Sequence, residues 1–100
     1  MRPEEAAPLD ASRRIRYVLT LHLLSSEREV ELPELVEVAT RAGCRFPGRP
    51  GKVVSDALRW EVRRGRVVRS GRGRYRAGRM PRSTEWWLRA CLAADDAAAA

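Results

Sequence analysis

Lys52, Ser55, Asp56, Arg59 and Arg63 recur at intervals of one, three and four residues. On a helix they share one face, within an arc of about 100°. Arg66, Arg69, Arg72, Arg74 and Arg76 follow them directly. Side chains of these types hold anions. Guanidinium and ammonium groups bond phosphate oxygens, and an arginine can also pair bidentately with O6 and N7 of guanine in a major groove. Arg59 lies mid-face, at the depth of a base edge. Ser55, one turn earlier, can donate or accept. Lys52 and Arg63, nearer the ends, suit phosphates, as does Arg49 just ahead of them. Asp56 has two readings: it accepts from cytosine N4, or it pairs with Arg59 three residues on and fixes that side chain's rotamer.

The charge is concentrated in the same place. Cys44 to Arg82 holds thirteen basic residues against two acids, Asp56 and Glu61, a local net of +11. The segments before and after it are each −2, so the chain's +7 comes from this one segment. Solubility alone does not require such a concentration. An ordinary solvated helix face mixes signs more evenly, and this face runs on into a basic hairpin.

Catalysis finds little support. His22 is the sole histidine, and it falls on an apolar helix face, as a satisfied core histidine does. Cys44 and Cys91 are far apart and have no metal-ligand spacing. There is no carboxylate pair, nucleophile elbow, Walker loop or Cys/His cluster. GRGRYRAG has glycines, but it links two strands instead of opening a helix, so it is no dinucleotide loop. The expectation is a non-enzyme, with no catalytic residue, metal, cofactor or evident small-molecule ligand. No apolar run approaches the roughly 20 residues of a membrane span. The early acids and prolines do not read as a signal peptide. Two reduced thiols fit a cytoplasmic location, and binding to DNA would make the protein nucleoid-associated. Nineteen of the twenty basic residues are arginine, a codon signature of a GC-rich genome and a bacterial-type protein.

The elements that would carry this face follow from periodicity. A first helix is predicted over Ala11–Leu24, capped by Asp10 or Ser12. Ile15, Val18, Leu19 and His22 share one of its faces; Tyr17, Leu21 and Leu24 share another, nearly opposite. A helix apolar on two sides has two partners. Val30-Glu31-Leu32 alternates as a small edge strand. Pro33 opens a second helix that ends at Ala42, with Gly43 after it. Phe46 anchors the Pro/Gly loop that follows. The third helix spans Pro50–Arg64, with Val54, Ala57, Leu58 and Val62 inward and Glu61 at the edge of that stripe. Arg66–Ser70 and Arg74–Ala77 are strands around a Gly71-Arg72-Gly73 turn, with Val67 or Val68 and Tyr75 facing the core. A last helix is predicted over Glu85–Ala94, capped by Ser83 or Thr84.

This is an α+β pattern: a three-helix core, a small β-hairpin wing and an extra C-terminal helix. Residues 34–77 resemble the winged helices of HARE-type domains and of AbiEi-type antitoxin regulators. The residues that carry the likeness are Ser55-Asp56-Ala57-Leu58-Arg59, Arg64-Gly65 and Arg72-Gly73-Arg74-Tyr75. The resemblance implies a winged helix-turn-helix fold whose recognition helix and Arg-Gly-x-Tyr wing contact double-stranded DNA. On this reading Arg72 and Arg74 suit a minor groove. Arg66, Arg69 and Arg76 contact backbone or serve as edge charges that block sheet association. The tail PRSTEWWLRACLAA lies outside the likeness.

Domain organisation then reads as a flexible 1–9, a DNA-binding domain over 10–80, a C-terminal helix over 81–95 and a disordered 96–100. The tryptophan pair leaves two readings open. Trp86, Trp87, Leu88 and Cys91 complete the monomer core, or they form a homodimer seam with Tyr17, Leu21 and Leu24. Function has three: a transcription regulator or architectural factor on DNA, a protein–protein adaptor, or a binder of structured RNA.

Overall fold

In the computed structural model, which describes residues 2–99, the first helix α1 runs over Ala11–Ser26. Asp10 starts it: the carboxylate accepts from the Arg13 amide at 2.8 Å, satisfying one of the orphan donors of the first turn. The helix continues two residues past Leu24. The Ser25 and Ser26 hydroxyls both donate to the His22 carbonyl, and Glu27 then turns the chain in the left-handed region. The strand β1 is only Val30–Glu31, and α2 follows at once over Leu32–Arg41 with Pro33 in its first turn.

The helix α3 spans Pro50–Arg63. It closes, as α2 does, with paired bonds back into its last turn. The Gly65 amide reaches the Val62 carbonyl at 3.0 Å and the Arg66 amide reaches Glu61 at 3.1 Å. Gly65 takes φ +75 to make this possible. The chain passes straight into β2 (Val67–Gly71), and β3 (Arg74–Ala77) returns. The order is β1-β3-β2, all antiparallel, with Val30 opposite Tyr75 and Arg69 opposite Tyr75 on the other side. The Leu32 amide donates to the Gly73 carbonyl at 2.9 Å, tying the wing turn to the start of α2. Just past the hairpin, Gly78 lies so close to the Gly65 carbonyl that a Cβ there would sit 2.1 Å from it. The whole is a winged-helix-like α+β arrangement, with α4 (Arg82–Ala99) added at the C-terminal end.

Two apolar clusters share α1. Ile15, Leu19 and Leu23 meet Val30, Leu35, Val54, Leu58, Val67 and Tyr75 in the main core, which Phe46 also joins. Tyr17 and Leu21, on the other side, meet Leu88 and Cys91 of α4, with Leu9, Met80, Trp87 and Leu92 around them. The expected second partner of α1 is thus the chain's own last helix. Leu23, not expected in the core, is fully buried, whereas Leu24 is half-buried and outside both clusters.

Within the described residues, the ends differ from the flexible 1–9 and disordered 96–100 read from composition; Met1 and Ala100 lie outside the described residues. Pro3–Glu5 form a 3-10 turn, and α4 begins at Arg82, on the Pro81 carbonyl, and continues to Ala99. Asp95 is the reason the two ends meet. It accepts from the Leu9 amide at 2.6 Å and from Arg14 Nη1 at 2.9 Å, while Arg14 Nη2 reaches Asp96 at 2.9 Å and the Ala42 carbonyl at 2.9 Å. With these anchors, the high helix propensity of an alanine-rich tail is enough to carry the helix on.

Glu61 differs too. It is 0% exposed, not at the edge of the stripe, and lies between Arg16 of α1 at 3.7 Å and Arg66 at 3.6 Å. Removing one partner of a buried pair strands the other charges. Glu61→Ala is therefore expected to lower unfolding free energy by about 3 kcal/mol in urea titrations. Exposed-site values below about 0.5 kcal/mol would show that the cluster does not hold α1, α3 and β2 together. Trp87 packs edge-on against Tyr17, with centroids 5.9 Å apart, whereas Trp86 is 64% exposed. Trp87→Ala is expected to cost about 2 kcal/mol, and Trp86→Ala close to nothing, by the same titration.

Candidate nucleic-acid interface

Helix α3 and the wing meet along a groove. Tyr75, held in β3 by pairing on both sides, points its hydroxyl to within 3.4 Å of Ser55 Oγ. Arg69, directly opposite Tyr75 in the ladder, lies on the same face of the sheet. Together with Arg59 and Val62 they line a hollow of about 310 Å³ between helix and hairpin. Two guanidinium groups, two hydroxyls and one apolar wall suit a phosphate–sugar edge.

Asp56 is neutralised in place. Lys52 Nζ sits 2.8 Å and Arg59 Nη2 3.7 Å from its carboxylate. The Lys52 hydrogen bond, with Coulombic help from both cations, holds Asp56 below the usual carboxylate range. The pairing with Arg59 read from spacing is present, and Lys52 takes the shorter contact. Since Glu61 is spent on Arg16 and Arg66, both acids of the basic segment are accounted for. Arg49, Arg63, Arg69, Arg72 and Arg76 have no carboxylate within 4.0 Å among the described residues.

The structure splits the site residues grouped by sequence into three sets. Lys52, Ser55, Asp56, Arg59, Arg63 and Arg69 gather along α3 and its groove, with Arg49 just ahead of the helix and Arg72 exposed at the turn. Arg66 turns inward to Glu61 and is a structural residue. Arg74 and Arg76 lie on the other face of the wing, because strand residues alternate and Tyr75 between them faces the core. Arg74 is 4.0 Å from Glu29, and Arg76 lines a hollow with Glu27, Arg28 and Glu29. Of the two wing glycines only Gly73 has positive φ; Gly71 sits beside the bulge between Arg69 and Gly71.

Most of the residues assigned to a dimer seam are used within one chain; Leu24, half-buried, lies outside both clusters. Tyr17, Leu21, Leu88 and Cys91 are buried against one another, and Trp87 covers them, leaving Trp86 as the exposed member. His22 is half-buried and bonds Glu34 at 3.1 Å; that bond, and a second from Arg28, hold Glu34 below its ordinary range. Burial pushes both the Cys44 and Cys91 thiols up. Among the described residues no cluster of His, Cys, Asp and Glu could hold a metal ion, and no helix is long and apolar enough to cross a membrane.

Sequence reasoning missed Arg14, Arg16 and the depth of Glu61. A lone acid inside an apolar stripe was the available signal, since a buried carboxylate requires buried partners. No family model matches the chain, and no curated protein or solved structure matches it.

The two faces of the wing make a prediction. Arg69→Ala should weaken binding to duplex DNA by about 1 kcal/mol or more, and Arg76→Ala by much less. A larger loss for Arg76→Ala than for Arg69→Ala in anisotropy titrations would mean that the wing's outer face, not the groove, meets the ligand.

Proposed function

We propose that the chain is a winged-helix protein that binds double-stranded DNA, acting in the cytoplasm on the nucleoid as a transcription regulator or architectural factor, without catalysis or cofactor. The observation that carries this reading is the groove between α3 and the wing. It presents Arg59 and Arg69 beside Ser55 and Tyr75, on a segment of net +11 whose two acids are already paired. A major groove admits one helix, and α3 offers its exposed side with Arg59 mid-face. Arg49, Lys52 and Arg63 flank it for phosphates, and Arg72 at the turn reaches the neighbouring backbone or minor groove. The likeness of residues 34–77 to HARE-type and AbiEi-type winged helices points the same way.

Affinity then comes mainly from arginine–phosphate contacts and counterion release. Neutralising about 4–7 phosphates gives a slope of log affinity against log salt of roughly −4 to −6. Titration of labelled mixed-sequence duplex at two salt concentrations checks it. No binding at low salt would leave the adaptor reading in its place, and preference for structured RNA over duplex DNA would replace DNA as the ligand. Arg59→Ala should cost about 1–3 kcal/mol on a preferred site and much less on random DNA, while Arg72→Ala weakens both alike. Uniform losses for both variants would make α3 a backbone binder and favour the architectural role.

A further inference from the structure

Trp60 is 51% exposed on α3, an unusual place for the largest side chain in a 100-residue chain. It follows Arg59, so at about 100° per residue it looks out on the flank of α3 away from the wing groove, beside Arg63 and at nearly the height of Arg59. Two guanidinium groups attend its ring: Arg63, one turn on, at 5.5 Å from the centroid, and Arg16 of α1 at 5.9 Å. Arg64 is exposed on the same end of α3. Of the two acids on the helix, the adjacent Glu61 is buried, and Asp56, one turn back, is held by Lys52 and Arg59.

We propose that Trp60 is a stacking platform for an unpaired nucleobase, at the edge of the surface that meets the duplex. The proposal rests on the reading of α3 as the nucleic-acid face. An aromatic ring set among cations matches a strand that carries a π-face and a phosphate at every step. Bases within a duplex are stacked on each other and cannot lie on an outside ring. The occupant is therefore a base at a single-stranded tail, fork or bubble next to the bound duplex. Arg63 and Arg64 then take the phosphates on either side of it. Covering the Arg16–Glu61 pair requires only an apolar side chain of similar bulk, and that role separates from stacking by substitution.

The full chain is titrated with three labelled DNAs: a blunt duplex, the same duplex with an unpaired tail of about six nucleotides, and the free tail strand. The tail is expected to tighten wild-type binding on the order of tenfold, the scale of one base–aromatic stack. Trp60→Phe keeps most of that gain, Trp60→Leu removes it, and neither changes affinity for the blunt duplex by more than about twofold. Trp60 fluorescence, taken as the difference between wild type and Trp60→Phe, should be quenched by the tailed duplex and not by the blunt one. That readout needs no destabilised variant. A tail that adds nothing, or a gain that survives Trp60→Leu, overturns the proposal while leaving the duplex reading intact. Strand binding that depends on Trp60 without any blunt-duplex binding does the reverse.

Discussion

A carboxylate with no exposure sets the geometry of this fold. Glu61 stands at the crossing of three elements: its own helix α3, α1 through Arg16, and the start of the wing through Arg66. The same residue's backbone carbonyl accepts the Arg66 amide that closes α3. Side chain and main chain of one residue thus fix the angle at which the hairpin leaves the helix. The groove between Arg59 and Arg69 exists only at that angle. The ionic contacts are long, and neither carboxylate oxygen has a hydrogen-bond partner. The cluster is better understood as fixing the geometry of the site than as adding to stability, because burying charge costs several kcal/mol per ion before any attraction is regained.

The same economy explains why α1 has two apolar faces. A winged-helix core needs only one of them. The other would be an exposed patch, and α4 covers it with Leu88, Cys91 and Trp87. Asp95 then couples this packing to the N-terminal segment, since one carboxylate binds both the Leu9 amide and Arg14. An acidic residue that reads from composition as part of a frayed tail is one-tenth exposed or less. Composition describes the average residue of a segment, whereas one buried ion pair decides where that segment sits.

What was legible in the sequence was local. Helical period located α1, α2 and α3 to within a residue or two, because core positions recur every three or four residues whichever partner they meet. Glycine after α3 marked the left-handed turn, and alternation placed Tyr75 and one of Val67 and Val68 inside; the structure buries Val67. The partners were not legible. Tyr17, Leu21, Trp87 and Leu88 were visible as apolar surfaces seeking cover, yet nothing local distinguishes a second copy from the chain's own last helix. Arg74 and Arg76 were grouped with Arg69 because all three are basic and close in sequence. Their separation depends on which residues pair across the hairpin, and the irregular step between Arg69 and Gly71 sets that register. A shift of one residue would exchange the two faces.

That separation bears on how charge is distributed over the molecule. On the outer face of the wing, Arg74 is 4.0 Å from Glu29, Arg76 lines a hollow with Glu27 and Glu29, and Ser70 donates to Glu29. Their positive charge is partly matched at short range, and within about a Debye length, roughly 8–10 Å, little of it survives as an outward field. On the α3 side, among the described residues, the carboxylates that pair with a basic residue of the helix or its exit are Asp56, shared by Lys52 and Arg59, and Glu61, enclosed between two arginines. Arg63, Arg69 and Arg72 are therefore left without a carboxylate within 4.0 Å among the described residues. Held apart like this, like charges repel and oppose the compact state. Packing between α1, α3 and the wing sustains that arrangement, and a polyanion laid along the groove would relieve it.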